Sequence, residues 1–469
     1  MHDTASPYSC TSAAVAVVGL GKIGLPLAVQ YSLHGRRVIG CDIDPHVVET
    51  VNAGKSPIQE EPGLAENIAE VVSKGLLTAT LYISEAIRQA AIVVVIVPVV
   101  IDINHSVNFE IIDAATTEIA SGLQRGTLVI YETTIPVGTT SGRLATLLEH
   151  TSQLKAGRDF FLAFSPERVS SGFVFRDLSI YPKIVGGIDE ESTAAAVAFY
   201  RSVLDAEVIT MASAEDAEFV KLIETTYRDV NIALANEYAC FADAYGLDIS
   251  AAIAAANTQP YSHIHTPGVG VGGHCIPVYP YLLLAGTEKT LHFDYPMLML
   301  PRYARRINDA MAEYAVRRIE GITGSLAGQS VLILGVAYRG DVHEVALTSA
   351  KLLLDALVEH GATVYADDPL FSADELHALG YTPLTPLVEE EIRAIILQAA
   401  HKSYQSFDFS RFVSCQVVLD GRKMLDHEKI ESLGMRYISI GDGVREQFDW
   451  QERDRQSALA SMLWNGGKQ

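Results

Sequence analysis

The sequence carries no basic block long enough to grip a nucleic-acid backbone, and its formal net charge is -22. Non-specific binding to DNA or RNA is therefore not expected. An anionic ligand would have to be held by local donors: backbone N–H groups, a helix N-terminus, or a placed Lys or Arg. Long apolar runs are missing too. No stretch reaches the roughly 20 residues of a membrane span, and the most apolar segment, Ala91 to Ile101, is short and β-branched, as a buried strand would be. The charged start and apolar centre of a signal peptide are also lacking. Cysteine is scarce. Cys10, Cys41, Cys240, Cys275 and Cys415 are five, far apart and in no CxxC pairing. Disulfides, a zinc knuckle or any other metal site are thus not expected, and a reducing cytoplasm is the natural setting. There is no short-period repeat.

What is present is apolar bulk. Nearly half of the 469 residues are hydrophobic, which points to two or three domains. Residues 1–12 read as a loose polar tail. A strand over Ala14–Val18, a helix over Lys22–Leu33 and a strand over Arg37–Cys41 follow. Further β-branched runs at Ile92–Val97, Leu128–Tyr131 and Lys183–Val185 alternate with helical stretches, the pattern of a parallel sheet covered on both faces. Ser213 with Asp216 forms a capping box ahead of a helix through Ala217–Tyr245, which holds neither Gly nor Pro and stops at Gly246. Residues 260–282 read as an ordered Gly/Pro loop, Arg302–Glu320 as another helix and Gly324–Gln329 as a linker. A second strand–helix–strand unit then begins: Ser330–Leu334, Ser349–His360, Thr363–Tyr365.

Gly19-Leu20-Gly21-Lys22-Ile23-Gly24 matches G-x-G-x-x-G directly after a predicted strand, at the opening of a predicted helix, with Asp42 about twenty residues on at the end of the next strand. Gly19 permits the tight turn, Gly21 lets a pyrophosphate approach the backbone, and Gly24 lets helix and strand pack. The N–H groups of Lys22 and Ile23 lie where a helix N-terminus meets phosphate. Asp42 can accept from both ribose hydroxyls and repels a 2′-phosphate, which favours NAD over NADP. Arg36 and Arg37, near the second strand, argue the other way, but Asp42 holds the strand end.

The densest local signal is Pro267-Gly-Val-Gly-Val-Gly-Gly-His-Cys-Ile-Pro277. Its glycines strip side chains from one surface, so that a bulky ligand can lie beside Cys275, a candidate nucleophile. On the residues alone, that cysteine is equally a spectator in a tight turn.

At this point the chain resembles the nucleotide-sugar 6-dehydrogenases, which oxidise UDP-glucose, GDP-mannose or UDP-N-acetylhexosamines. The resemblance runs from about residue 14 to 445. It is carried by Val18–Leu27, Asn52–Ile58 with Glu61-Pro-Gly-Leu64, Ser165-Pro-Glu-Arg-Val169, Pro182–Gly187, Lys221-Leu-Ile-Glu, Tyr227–Glu237, the Cys275 loop and Gly335-Val-Ala-Tyr338. His-Cys-Ile-Pro and Tyr-Arg-Asp-Val-Asn are most similar to the N-acetylhexosamine branch. The resemblance implies an α/β fold of two Rossmann-like domains with parallel sheets joined by a central helical domain: 1–208 binding NAD, 209–323 forming a homodimer through the central helix, and 324–469 binding the nucleotide sugar. It also implies two successive oxidations at C6 of the sugar. Cys275 would carry a thiohemiacetal and then a thioester, with Lys221 stabilising the oxyanion, Glu167 as base for hydrolysis, and Thr134 and Thr225 beside the chemistry. Pro98 and Thr134 would touch the cofactor. Glu167, Arg168, Lys221, Gly268, Gly270, Gly273, Tyr338 and Arg339 would touch the substrate.

Several positions depart from the family pattern. Tyr279 stands where Asp is usual and is a poor base at neutral pH. Thr225 replaces an Asn on the Lys221 face of its helix. Val97-Pro98-Val99-Val100 lacks the usual Thr, Arg339 replaces Lys, and His343-Glu-Val-Ala346 replaces an Arg-containing acidic segment. The hydrolytic half is the part these changes touch. His274 is a second candidate for activating water. Other readings stay open on the residues: a variant that releases aldehyde, a single-hydride dehydrogenase with Cys275 a bystander, or a binder that has lost the chemistry.

Overall fold

The computed structural model describes residues 7–58, 61–102, 104–170, 172–285 and 298–444. The chain forms two compact units, Met1–Glu224 with Tyr281–Asp294, and Thr225–Pro280 with Tyr295–Gln469.

The first unit is built on an eight-stranded sheet. Its strands are β1 (Val15–Val18), β2 (Val38–Cys41), β3 (Leu77–Thr80), β4 (Ile92–Val95), β7 (Leu128–Tyr131), β8 (Phe161–Phe164), β9 (Lys183–Gly187) and β10 (Val208–Thr210), while β5 (Val100–Ile101) and β6 (Val107–Asn108) form a separate small hairpin. The spatial order is β10-β9-β8-β7-β4-β1-β2-β3. Strands β1, β4 and β7 are buried at every position, because helices cover both faces. The chain winds outward from β1 in both directions, so a crevice opens past the carboxyl ends of β1 and β4.

The expected strand at Lys183 is present, but one feature breaks the expected parallel pattern. Strand β9 runs antiparallel to β8, with Phe164 opposite Gly186 and Ala163 opposite Gly187, while β10 is parallel to β9. The reversal brings the start of β9 to the edge where β7 and β8 end.

The second unit holds an all-parallel six-stranded sheet, order β13-β12-β11-β14-β15-β16. Its strands are β11 (Ser330–Leu334), β12 (Thr363–Asp367), β13 (Thr382–Pro383), β14 (Ile392–Leu397), β15 (Val417–Asp420) and β16 (Arg436–Ser439). The expected restart of an α/β pattern near residue 330 is thus present. The 32-residue helix Ala214–Tyr245 begins after Ser213, whose Oγ accepts from Asp216 N at 3.1 Å and donates to Asp216 Oδ2 at 2.9 Å, so only the Ser213 half of the expected capping box forms; Gly246 ends the helix at φ +73°. The expected helix at 302–320 spans Met299–Thr323. Residues 324–329 form a packed turn rather than a free linker, since Leu326 is fully buried and Gly328 N donates to Gly361 O.

The segment expected to be a loose tail, 1–12, is packed at Tyr8. Residues 1–6 lie outside the described residues, but Pro7–Ser9 is a short helical turn with Tyr8 buried, its hydroxyl donating 2.7 Å to Gly126 O. Arg36 explains why the segment packs. Its buried guanidinium donates to Tyr8 O (2.7 Å), to Ser202 Oγ (2.6 Å) and to Cys10 O. It therefore serves the interior and offers nothing to a 2′-phosphate. Removing it strands several buried acceptors at once, so Arg36→Met should cost about 2–4 kcal/mol in denaturant unfolding. The same variant should speed hydrogen exchange over residues 7–12; wild-type stability in that variant would refute the role.

Candidate active site

In the first unit the singled-out residues gather where parallel strands end. Strand β1 runs into Gly19 at φ +98°, where a Cβ would lie 2.8 Å from Ile96 O. Gly24 tolerates nothing larger, because a Cβ there would fall 1.9 Å from Gly19 O. Gly21 is the opposite case, exposed with open space where its Cβ would be. The turn is closed against the chain at two glycines and open to a ligand at the third, as a phosphate-binding turn requires. Asp42, at the end of β2, accepts from Leu20 N (2.8 Å) and from Asp44 N (3.0 Å). It braces the turn from the side on which a ribose would lie. Pro98 is exposed just beyond β4. The donor turn and the carboxylate fit a dinucleotide.

Past β7 comes Glu132-Thr-Thr134. Thr134 is buried, and the loop after it is clasped to the long helix by Glu218, whose carboxylate accepts from Gly138 N (2.6 Å), Thr140 N (2.8 Å) and Thr140 Oγ (2.6 Å). Burial pushes Glu218 up to about 7, against these donors. Lys221 lies one turn further along, half-buried rather than a freely solvated charge.

Past β8 comes Glu167. Its Oε1 accepts from Arg168 N (2.6 Å) and Val169 N (2.9 Å), and its Oε2 from Lys183 Nζ (2.8 Å). Burial opposes ionisation, but the Lys183 ammonium overrides it and brings Glu167 down to about 2. Glu167 and Arg168 do not form a plain ion pair with each other. Arg168 instead reaches Glu224 on the long helix (2.9 Å).

The second unit holds the cysteine loop. Asn236, from the long helix, accepts from Gly268 N (2.9 Å) and donates to Asn308 Oδ1 (2.9 Å). Asn308 donates in turn to Asp229 Oδ1 (2.8 Å), which the buried Arg305 guanidinium also engages at 2.5 Å. Further along, Gly273 N donates to Ala346 O (2.8 Å). The glycines have a different purpose from the one expected of them. A Cβ at Gly268 would meet Arg422 at 2.9 Å, at Gly270 Ser349 at 2.8 Å, at Gly272 Tyr338 and Leu347 at 2.9 Å, and at Gly273 the Tyr338 ring at 3.1 Å. The side chains are missing to let the chain's own segments around 338–349 and 421–422 pack there, not to leave that side clear for a ligand.

Cys275 follows at once and is exposed, its carbonyl accepting from Tyr279 N (2.9 Å) at the start of the helix Tyr279–Ala285. Its Sγ lies 3.5 Å from Tyr279 Oη, so the departure noted in the sequence stands in contact with the thiol. His274 points to Glu344 (3.5 Å). Tyr338 is half-buried, and its hydroxyl accepts 3.1 Å from the exposed Arg339 Nε. Thr225 is buried on the long helix, one turn beyond Lys221.

Sequence reasoning missed Glu132, Lys183 and Glu218. A charge directly after an apolar strand, as at Glu132, and a Glu three residues before Lys221 were the available signals. No metal-binding cluster of His, Cys, Asp or Glu occurs among the described residues.

Three family models match in chain order: the NAD binding domain of the UDP-glucose/GDP-mannose dehydrogenase family over residues 13–204, its central domain over 215–310 and its UDP binding domain over 332–427. The UDP-N-acetyl-D-mannosamine dehydrogenase of Pyrococcus horikoshii is 34% identical over 436 residues, covering 92% of this chain and 99% of that one. A solved structure of the UDP-D-ManNAc dehydrogenase from the same organism matches at TM-score 0.81 with 33% identity, over 92% of this chain and 99% of that one. The NDP-N-acetyl-D-galactosaminuronic acid dehydrogenase of Ralstonia solanacearum is 31% identical over 89% of this chain and 97% of its own. With the open glycine turn, the strand-end carboxylate and the exposed cysteine already in place, these matches show that the chain belongs to the UDP-glucose/GDP-mannose dehydrogenase family and is an NAD-dependent nucleotide-sugar dehydrogenase.

Proposed function

We propose that the chain oxidises C6 of a UDP-N-acetylhexosamine, of the UDP-N-acetylmannosamine type, to the uronic acid. The observation that carries the reading is an exposed Cys275 on a loop fixed at both ends, in a chain whose relatives are named for N-acetylhexosamine substrates. Bound NAD supplies the hydride acceptor for each of the two oxidations. Gly19–Gly24 and Asp42 hold it at the β1 and β2 ends. Cys275 Sγ adds to the C6 aldehyde and later carries the acid as a thioester. Lys221 balances the oxyanion of each tetrahedral species. Thr134 and Thr225 orient the reacting sugar, and Glu167 takes the proton of the hydrolytic water. Arg168, the Gly268–Gly273 backbone, Tyr338 and Arg339 contact the nucleotide sugar. Functionally, 1–208, 209–323 and 324–469 divide into cofactor, dimerisation and nucleotide-sugar parts.

The partner is a second copy. Tyr227, Leu234, Tyr238, Phe241 and Tyr245 are all exposed on the long helix at spacings of 7, 4, 3 and 4, the seam of paired helices. Tyr238 and Phe241 also border an apolar hollow with Leu247, Ile249 and Ile253. No described helix is long and apolar enough to cross a membrane. With free cysteines, the reading places the chain in a reducing cytoplasm.

Three measurements test this. Across a panel of UDP sugars, the N-acetylhexosamine should give two NADH per sugar and Cys275→Ser should abolish steady turnover; a ratio of one with aldehyde as product, or full turnover by the Ser variant, rejects the covalent route. Asp42→Asn should raise KM for NAD about tenfold with little change in kcat, and narrow the preference over NADP; an unchanged NAD/NADP ratio of kcat/KM would remove Asp42 from cofactor choice. Phe241→Asp should turn a dimer into a monomer by light scattering, since a charge in such a seam is desolvated without a partner; a wild-type monomer would reject the interface.

A further inference from the structure

Behind Glu167 lies a second carboxylate. Lys183 Nζ sits 2.8 Å from Glu167 Oε2 and 2.8 Å from Glu132 Oε2. Glu132 is sealed inside the sheet, 1% exposed, and its Oε1 accepts from the hydroxyls of Tyr31 (3.1 Å) and Tyr200. The remaining charged groups around the cluster are turned elsewhere: Arg168 engages Glu224 and Pro182 O, and Asp177 accepts from Arg176 and from Ser170 N. Two carboxylates therefore share one buried ammonium, and the cluster carries one negative charge in excess when all three are ionised.

We propose that Glu132 and Lys183 are positioning residues for hydrolysis of the thioester, because together they let Glu167 accept a proton without leaving an unpaired charge in the interior. This rests on the reading of Glu167 as the base. When Glu167 takes a proton, an O–H bond of water breaks and the water oxygen bonds to the thioester carbonyl carbon. The C–S bond to Cys275 then breaks, the sulfur leaves as thiolate, and Glu167 returns its proton to solvent. While Glu167 is neutral, Lys183 and Glu132 remain a balanced pair. With Glu132 absent, the same proton uptake would strand a buried ammonium, which proteins avoid. The strand reversal at β9 makes the arrangement possible, since it puts Lys183 beside the ends of β7 and β8.

Protonation follows the same logic. Burial pushes Glu132 up to about 7, whereas Glu167 stays ionised beside Lys183. Near neutrality the odd proton rests on Glu132, and its loss as pH rises makes Glu167 the stronger base. Hydrolysis thus accelerates through about pH 7.

The test separates oxidation from hydrolysis in the full-length enzyme with NAD and UDP-N-acetylmannosamine: the NADH burst reports the first, and decay of the covalent Cys275 adduct by intact mass reports the second. Glu132→Gln should leave the burst within about twofold and slow adduct decay about tenfold or more, with the acid limb moved to lower pH. Lys183→Met should move that limb to higher pH, and Glu132→Asp should recover part of the decay rate. Equal losses in burst and decay, or limbs displaced in one direction by both variants, would overturn the inference. Should Glu132→Gln fail to fold, a wild-type decay rate independent of pH from about 5.5 to 8.5 would overturn it as well. Glu167→Gln with undiminished decay would instead reject Glu167 as the base, whereas slow decay in Glu167→Gln with normal decay in Glu132→Gln rejects only the role of Glu132.

Discussion

The buried ammonium of Lys183, bonded to Glu132 and Glu167 at once, is the interaction on which the first unit's functional edge depends. Three strand ends meet through it. Strand β7 delivers Glu132 and Thr134, β8 delivers Glu167, and β9 enters from the reverse direction to deliver the one ammonium that both carboxylates share. A wholly parallel sheet would put the start of β9 at the far edge, some four residues of strand away. The two carboxylates would then face each other with no cation between them, a repulsion that a low-dielectric interior does not tolerate.

The long helix gives these pieces a common ruler. In the first unit, Glu218 clasps the loop after Thr134, Lys221 follows one turn later and Glu224 takes Arg168; in the second unit, separately, Asn236 holds Gly268. A helix advances about 1.5 Å per residue with little tolerance, so within the first unit the contacts at Glu218 and Glu224 inherit a fixed spacing from one rigid element. Loops that carry chemistry are usually mobile. Here the loops after Thr134 and at Gly268 are pegged by Glu218 and Asn236, both fully buried, while the Arg168–Glu224 contact is partly open to solvent.

Most of the architecture was legible in the sequence because period and punctuation agree. The strands at Leu128–Tyr131 and Ser330–Leu334 begin and end where the apolar runs do, and the long helix runs from the Ser213 N-terminal bond to Gly246. The glycine turn was legible for the same reason, its three positions having distinct jobs that the structure separates into two closed and one open. The direction of β9 was not legible. Five residues, Lys183–Gly187, look alike in either orientation, and only the partner strand decides. Nor was Arg36, which sits beside a strand as a cofactor-reading arginine would, but turns inward to carbonyls more than twenty residues earlier in the chain. The Cys275 loop was half legible: the glycines announced close approach, yet only the fold shows that what approaches is Tyr338 and Ser349.

That packing has a consequence for how the protein is made. The loop that presents Cys275 is complete only when Gly273 finds Ala346, Gly270 finds Ser349 and Gly268 lies against Gly421 and Arg422. These partners are synthesised roughly 70 to 150 residues after the cysteine. Until they emerge these contacts cannot form, and a segment rich in glycine has wide backbone freedom. The turn around the thiol therefore cannot be completed before residues 421 and 422 have been synthesised, long after every strand of the first unit's sheet.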